Sequence, residues 1–431
     1  MKIAVVALGK IGLPLAVQFA KKGHHVIGCD VNQKTVELVN AGTEPFPGED
    51  HLDQYLKEVV ASGHLTATTD TTAAVAQADA VVVVVPLFVD NDGVPDFGWM
   101  DEATVAIAAG LKPGTLVSYE TTLPVGTTRT RFAPALEKGS GLTAGKDFSL
   151  VFSPERVLTG RVFADLRKYP KLVGGIDEKS TEHGIEFYKS VLDFDDRPDL
   201  AEPNGVWNLL TAEASEMAKL AETTYRDVNI ALANQFAIFA ESANIDIAKV
   251  IAASNSQPYS HIHQPGIAVG GHCIPIYPRF YLWNDPEATV VRSAREANAA
   301  MPAHAVSLLK SAMGSLTGKK VAVLGISYRG GVKESAFSGI FGTVAALKAE
   351  GAVVTVHDPM YTDEESIKLG FTPHHMGESV DGVILQADHK EYAKLSASDF
   401  PGLDAVVDGR RSLNRSRFSD VRFNVIGAPQ N

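Results

Sequence analysis

The sequence predicts an α/β protein of two doubly wound units joined by a long central helix, and three observations carry that expectation. β-like runs alternate with helical stretches at both ends of the chain. A long amphipathic pattern without Pro or Gly lies between them, and a Gly-rich turn directly follows the first strand. In the first half the strand-like runs are Ile3–Ala7, Val26–Cys29, Ala80–Val85, Leu116–Tyr119 and Leu150–Phe152. Alternation with helices favours a parallel sheet covered on both faces. From Leu209 to Ala253, apolar residues recur at three- and four-residue spacing, including Met217, Leu220, Ala221, Ile230, Ala233, Phe236 and Ala237, which reads as one helical element. The segment from about Pro258 to Pro286 is rich in Gly, Pro and His and reads as loop. A second βα series then begins at Lys320, with strand-like runs at Val321–Leu324, Val353–Val356, Gly382–Leu385 and Ala405–Val407. The expected divisions are residues 1–200, 201–305 and 306–431.

Composition narrows the function classes. The chain has 431 residues, 45% hydrophobic and 21% charged, an ordinary globular balance. A formal net charge of −12 argues against general nucleic-acid binding, which needs clustered Lys and Arg. With only Cys29 and Cys273, neither a disulfide framework nor a cysteine-rich metal site can be built, and a reducing compartment fits. No basic-then-apolar leader precedes Lys2–Val6, and the longest apolar stretch, near Ala80–Pro86, is far below the ~20 residues that span a bilayer. The expectation is a cytoplasmic protein. His261, His263 and His272 lack the carboxylate or Cys pair that would complete a metal site, so no metal is expected. His24, His25, His374 and His375 read as surface residues.

Several segments carry chemistry. The first strand runs into Ala7-Leu8-Gly9-Lys10-Ile11-Gly12-Leu13-Pro14, and the next ends at Asp30, about 18 residues after Gly12. That is a Rossmann-like dinucleotide pattern with Ala7 in the first Gly position. Gly9 would let the backbone approach a pyrophosphate at a helix N-terminus. Asp30 would accept from a ribose 2′-OH and repel a 2′-phosphate, which favours NAD over NADP. Cys273 sits in Val269-Gly270-Gly271-His272-Cys273-Ile274-Pro275, where the glycines would allow a bulky ligand close. From the residues alone it reads either as a thiolate nucleophile or as a small buried hydrophobe. Lys219 and Thr223, four apart on the central helix, share a face, and the Lys219 ammonium either enters a site or reaches water along its stem. Glu120–Gly126 and Ser153–Val157 place polar groups at strand ends, where open α/β sheets bind ligands.

Taken together and in order, these segments resemble the UDP-glucose/GDP-mannose dehydrogenase family. Gly42-Thr43-Glu44-Pro45, Pro154-Glu155-Arg156-Val157, the helix from Glu216 to Asn234, Lys333-Glu334-Ser335 and Asp408-Gly409-Arg410 extend the likeness over nearly the whole chain. The resemblance implies an N-terminal NAD domain, a central helix at a homodimer interface, and a C-terminal UDP-sugar domain. It also implies a four-electron oxidation of a sugar CH2OH through a thiohemiacetal and a thioester on Cys273. By the same likeness Lys219 would stabilise oxyanions, Glu155 would be the hydrolytic base, best with a pKa raised toward neutrality, and Thr122 would position water. Cofactor contacts would come from Gly9, Ile11, Gly12, Asp30, Pro86, Thr122 and Lys333. Substrate contacts would come from Glu155, Lys219, Thr223, His261, His263, Gly270 and Arg329.

The departures from the pattern are specific. Tyr277 stands four residues after Cys273 where many members carry Asp, and Thr223 stands where many carry Asn. Val85-Pro86-Leu87-Phe88 replaces a usual Thr-Pro, and Lys333 replaces a usual Arg. The stretches Pro154–Arg161, Tyr225–Ile230 and Gly271–Pro275 resemble the branch acting on UDP-N-acetylhexosamines, so UDP-N-acetylglucosamine or UDP-N-acetylmannosamine is the expected substrate. A UDP-glucose dehydrogenase and a catalytically weak nucleotide-sugar-binding protein are the competing readings.

Overall fold

The computed structural model describes residues 1–90 and 93–430, which form two compact units, Met1–Ala221 and Glu222–Asn431. The strands of the first are β1 (Lys2–Val6), β2 (His25–Cys29), β3 (Leu65–Thr68), β4 (Ala80–Val83), the hairpin pair β5 (Phe88–Val89) and β6 (Pro95–Asp96), β7 (Leu116–Tyr119), β8 (Ser149–Phe152), β9 (Lys171–Gly175) and β10 (Val206–Thr211). Eight of them make one sheet in the order β10-β9-β8-β7-β4-β1-β2-β3. In register, Ile3 faces Val26 on one side and Ala80 on the other, so the strand order reverses at β1. A crevice opens at the carboxyl ends of strands where the order reverses. The pairing is parallel except between β8 and β9, which run antiparallel, a departure from the expected all-parallel sheet.

Strand residues buried on both faces explain the unbroken apolar runs. Ile3, Val5, Val82, Leu116 and Val151 pack with Leu13, Ala16, Val17 and Phe19 of the helix Gly12–Lys21 in one core. At its start, Ala7 adopts φ +78° and donates its N–H to Cys29 O at 2.8 Å. A left-handed conformation costs an L-residue roughly 1–2 kcal/mol. Ala7→Gly should therefore stabilise the first unit by about 1 kcal/mol once the glycine's larger unfolded-state entropy is offset. An unchanged or lowered urea midpoint would contradict this.

The second unit carries β11 (Lys320–Leu324), β12 (Val353–His357), β13 (Gly382–Leu385), β14 (Ala405–Asp408) and β15 (Arg422–Val425), all parallel, in the order β12-β11-β13-β14-β15. Its core gathers Val321, Val323, Ile384 and Val407 with Met301, Ala305 and Leu309 of the helix Thr289–Met313. The central helix, Ala212–Ser242, begins in the first unit and ends in this core at Ala237 and Ala240. It is shorter than the periodicity suggested. Leu209 and Leu210 belong to β10, and the helix stops where Asn244 takes φ +60° and Asp246 caps the next helix, Ile247–Ser254. Asn tolerates the left-handed region and Asp is a strong N-cap, so neither Pro nor Gly is required.

Two further expectations are corrected. The Pro258–Pro286 segment contains a helix, Tyr277–Asn284. His374 is buried rather than on the surface, stacked on Phe400 with ring centroids 6.1 Å apart. Among the described residues no helix is long and apolar enough to cross a membrane.

Candidate active site

The turn after β1 has the properties a pyrophosphate needs. A Cβ on Gly12 would lie 1.9 Å from Ala7 O, so this glycine permits close helix-strand packing, while Gly9 faces open space. The helix Gly12–Lys21 follows Ile11 without a side-chain cap, so the positive end of its dipole faces the turn where a pyrophosphate would lie. At the end of β2, Asp30 accepts from Leu8 N and Asn32 N, both at 2.9 Å, which fixes its carboxylate beside the turn. Pro86 is exposed beyond β4, and Thr121 Oγ1 donates to Val85 O at 2.7 Å, tying the segment after β7 to the one after β4. The residues present therefore fit a dinucleotide. Asp30→Ala should lower the preference for NAD over NADP in kcat/KM by about tenfold or more, the worth of a charge-assisted hydrogen bond. An unchanged ratio would remove Asp30 from the site. Lys333, implied as a cofactor contact, lies in the second unit with its ammonium held by both Glu365 oxygens at 2.6 and 2.8 Å.

Past β7 and β8, at the start of the antiparallel β9, lies a buried ionisable cluster. Lys171, the first residue of β9, donates to Glu120 Oε2 at 2.6 Å and to Glu155 Oε2 at 3.0 Å. The Tyr188 hydroxyl donates to Glu120 Oε1 at 2.7 Å, and Ser118 Oγ lies 2.7 Å behind it. Burial pushes the Glu120 carboxyl up to about 7, although Lys171 pulls the other way. For Glu155, burial also pushes upward, but the Lys171 ammonium, the Arg156 N–H and a hydrogen bond from Glu120 outweigh it and hold its carboxyl below the ordinary value. That corrects the expectation of a raised Glu155: the neighbour, Glu120, carries the raised pKa. Lys171 and Tyr188 were not foreseen, because only the fold brings them to the two strand-end carboxylates.

The central helix fastens the polar segment after β7. Glu216 accepts from Gly126 N at 2.5 Å and from Thr128 N and Oγ1 at 2.9 and 2.7 Å, and burial raises its pKa to about 7. Thr122 and Lys219, both predicted site residues of this unit, are buried at 4% and 7% exposure. Burial removes the reading of Lys219 as a solvated surface cation.

In the second unit Cys273 is a free, exposed thiol, which removes the reading of a buried hydrophobe. Its carbonyl accepts from Tyr277 N at 2.9 Å, so it sits one turn ahead of the helix Tyr277–Asn284. The glycines before it serve a different approach from the one expected. A Cβ on Gly270 would meet Tyr328 Cβ at 2.6 Å and Phe337 O at 2.9 Å, and Gly271, at φ +89°, lies against the Tyr328 ring. The close neighbour is the protein's own chain. Behind the loop, Arg295 Nη1 donates to Asp227 Oδ1 at 2.7 Å and reaches Ile274 O at 3.5 Å. Asn298 donates to Asp227 Oδ1 at 2.7 Å and accepts from Asn234 at 2.9 Å, while Asn234 accepts from Gly266 N at 2.9 Å. Asn229 donates to His261 O and accepts from His263 N. Thr223 is buried, and Arg329 is exposed with its Nε donating to Tyr328 Oη at 3.2 Å. Among the described residues no group of three His, Cys, Asp or Glu side chains is arranged to hold a metal ion.

Comparison with known families places this geometry. Models of the UDP-glucose/GDP-mannose dehydrogenase family match in order: its NAD binding domain at residues 1–192, its central domain at 213–300 and its UDP binding domain at 322–415. The chain belongs to the UDP-glucose/GDP-mannose dehydrogenase family. NAD is thus the cofactor of this dehydrogenase, and the glycine turn and Asp30 lie within the matched NAD domain. It is 33% identical over 421 residues to the UDP-N-acetyl-D-mannosamine dehydrogenase of Pyrococcus horikoshii, covering 96% of each chain. A solved UDP-D-ManNAc dehydrogenase from Pyrococcus horikoshii superposes with TM-score 0.87 at 31% identity, covering 99% of each chain. A UDP-glucose dehydrogenase from Pyrobaculum islandicum gives 0.86 at 26% identity, covering 99% of this chain and 98% of that one. Fold similarity alone therefore does not separate the sugars for this dehydrogenase.

Proposed function

We propose that this dehydrogenase oxidises the C6 alcohol of a UDP-N-acetylhexosamine, UDP-N-acetylmannosamine foremost, to the uronic acid, with Cys273 as covalent nucleophile. The observation that carries the reading is the full-length likeness to UDP-N-acetyl-D-mannosamine dehydrogenases, together with an exposed Cys273 in the matched loop. NAD, when bound, supplies the hydride acceptor. Gly9, Ile11, Gly12, Asp30, Pro86 and Thr122 would hold it, with Lys333 joining if it leaves Glu365. The division of labour follows residues 1–200 for NAD, 201–305 for the helix and catalytic loop, and 306–431 for the UDP-sugar.

Once the alcohol carbon is an aldehyde, the Cys273 thiolate adds to it while Lys219 stabilises the oxyanion. Oxidation of that thiohemiacetal leaves a thioester. Water positioned by Thr122 gives a proton to Glu155 as its oxygen attacks the acyl carbon. The C–S bond then breaks, the electron pair returns to Cys273 sulfur, and the uronic acid leaves. Tyr277 offers no carboxylate, which leaves the base role to Glu155. Thr223, His261, His263, Arg329 and the Gly266–Gly270 backbone are the proposed donors to the UDP-sugar. Self-association would cover Leu232, Phe236 and Phe239, which stand exposed on the central helix. We place the enzyme in the cytoplasm, with no nucleic-acid or membrane partner.

The test is NADH and acid formation with UDP-N-acetylmannosamine, UDP-N-acetylglucosamine, UDP-glucose, UDP-galactose and GDP-mannose. Two NADH per acid from UDP-N-acetylmannosamine is expected. Turnover of UDP-glucose alone would overturn the sugar assignment, and binding without turnover would overturn the enzymatic one.

A further inference from the structure

We infer that Lys171, braced by Glu120, is a positioning residue that fixes the Glu155 carboxylate in the orientation water activation requires. The inference rests on the hydrolytic role proposed for Glu155. Three ionisable side chains share one buried site past β7 and β8, at the start of β9, and they differ in one respect: Glu155 is 11% exposed, while Lys171 and Glu120 are 4% and 0% exposed. A small cleft lined by Pro154, Glu155, Arg156, Tyr169 and Lys171 opens beside it. Glu155 and Lys171 thus both reach the cleft, Glu155 being the more exposed, while Glu120 is wholly buried and does not line it.

The geometry fixes that carboxylate at both oxygens. Oε1 accepts the Arg156 N–H at 2.7 Å and Oε2 accepts the Lys171 ammonium at 3.0 Å, while the Glu155 N–H donates to Glu120 O at 3.1 Å. Lys171 is itself held by its 2.6 Å contact with Glu120 and lies over the Tyr188 ring, 4.9 Å from its centroid. A buried ammonium must be paired, and two carboxylates crowded onto it cannot both ionise as easily as one. Burial pushes the Glu120 carboxyl upward, while the Lys171 ammonium and the Arg156 N–H hold the Glu155 carboxyl below its ordinary value. Glu155 is left as the acceptor. The groups acting on it are Lys171 and Glu120, with Arg156 through its N–H.

The test follows thioester hydrolysis against pH, by intact-protein mass for acyl-enzyme and by acid release, in the full-length protein. Lys171→Met should slow hydrolysis at pH 7 by about tenfold or more, make acyl-enzyme accumulate, and move the acidic limb upward by at least one pH unit, because the cation that keeps Glu155 ionised is gone. Lys171→Arg should restore the limb. Glu120→Gln, which mimics the protonated side chain, should leave the acidic limb in place and abolish any inflection near pH 7. A Lys171→Met protein that hydrolyses at the wild-type rate with an unmoved limb overturns the inference. If Lys171→Met does not fold, an upward shift of the acidic limb in Glu120→Gln overturns it equally. Wild-type protein that forms no acyl-enzyme at all overturns the proposed function instead, which keeps the two failures distinct.

Discussion

Cys273→Ser is expected to bind NAD and the UDP-sugar as the unsubstituted protein does and to lose uronic acid formation by about a thousandfold or more. The replacement is nearly isosteric, and Cys273 is exposed at the loop surface with its backbone held by Tyr277 N, so no packing is disturbed. What changes is the nucleophile. A thiolate is intrinsically far more nucleophilic toward a carbonyl carbon than a serine hydroxyl that has no activating base beside it. Binding is read by titration, acid by direct product analysis, and the covalent species by intact mass. Retained acid production would remove the thioester route, and lost binding would place Cys273 in substrate recognition instead.

What the sequence made legible was local, and what it hid was long-range pairing. The turn Ala7–Gly12, Asp30 at the end of its strand, and Cys273 in a Gly-rich loop are each defined within a few residues, so spacing alone could place them. The parallel strands were legible for the same reason, since residues buried on both faces read as continuous apolar runs. Lys171 was not, because its partner Glu120 lies 51 positions away and a Lys beginning a strand gives no signal of its own. The one available hint was that a cation at the start of the buried run Leu172–Gly175 must find an anion. Asn244 hid the end of the central helix, because periodicity does not register a single left-handed residue. Gly270 was read for the ligand when its space is taken by Tyr328, a residue 58 positions on that no local rule could have placed there.

Arg295→Met should strongly destabilise the second unit. Asp227 is fully buried on the central helix, and Arg295, 15% exposed, is the cation that meets it. Burial already raises the Asp227 carboxyl despite the opposing pull of Arg295 and Asn298, and no hydrogen-bond partner reaches its Oδ2 among the described residues. Removing one partner of a buried pair typically costs about 3–5 kcal/mol, because the other charge stays buried without compensation. The pH dependence has a definite sign. With its folded pKa raised further in the variant, the native state binds more protons at Asp227 than the unfolded chain, so stability falls as pH rises above the unfolded value near ~3.9. The variant should therefore lose least in mild acid and most at neutral pH, as read from urea midpoints at pH 5 and pH 8. Asp227→Asn combined with Arg295→Met should recover much of the loss, because an amide can keep the Asn298 contact without a charge. The same pair supports the carbonyl of Ile274 next to Cys273, so alkylation of the thiol should change in the single variant. Equal destabilisation at both pH values would show that Arg295 acts through packing of its stem rather than through its charge.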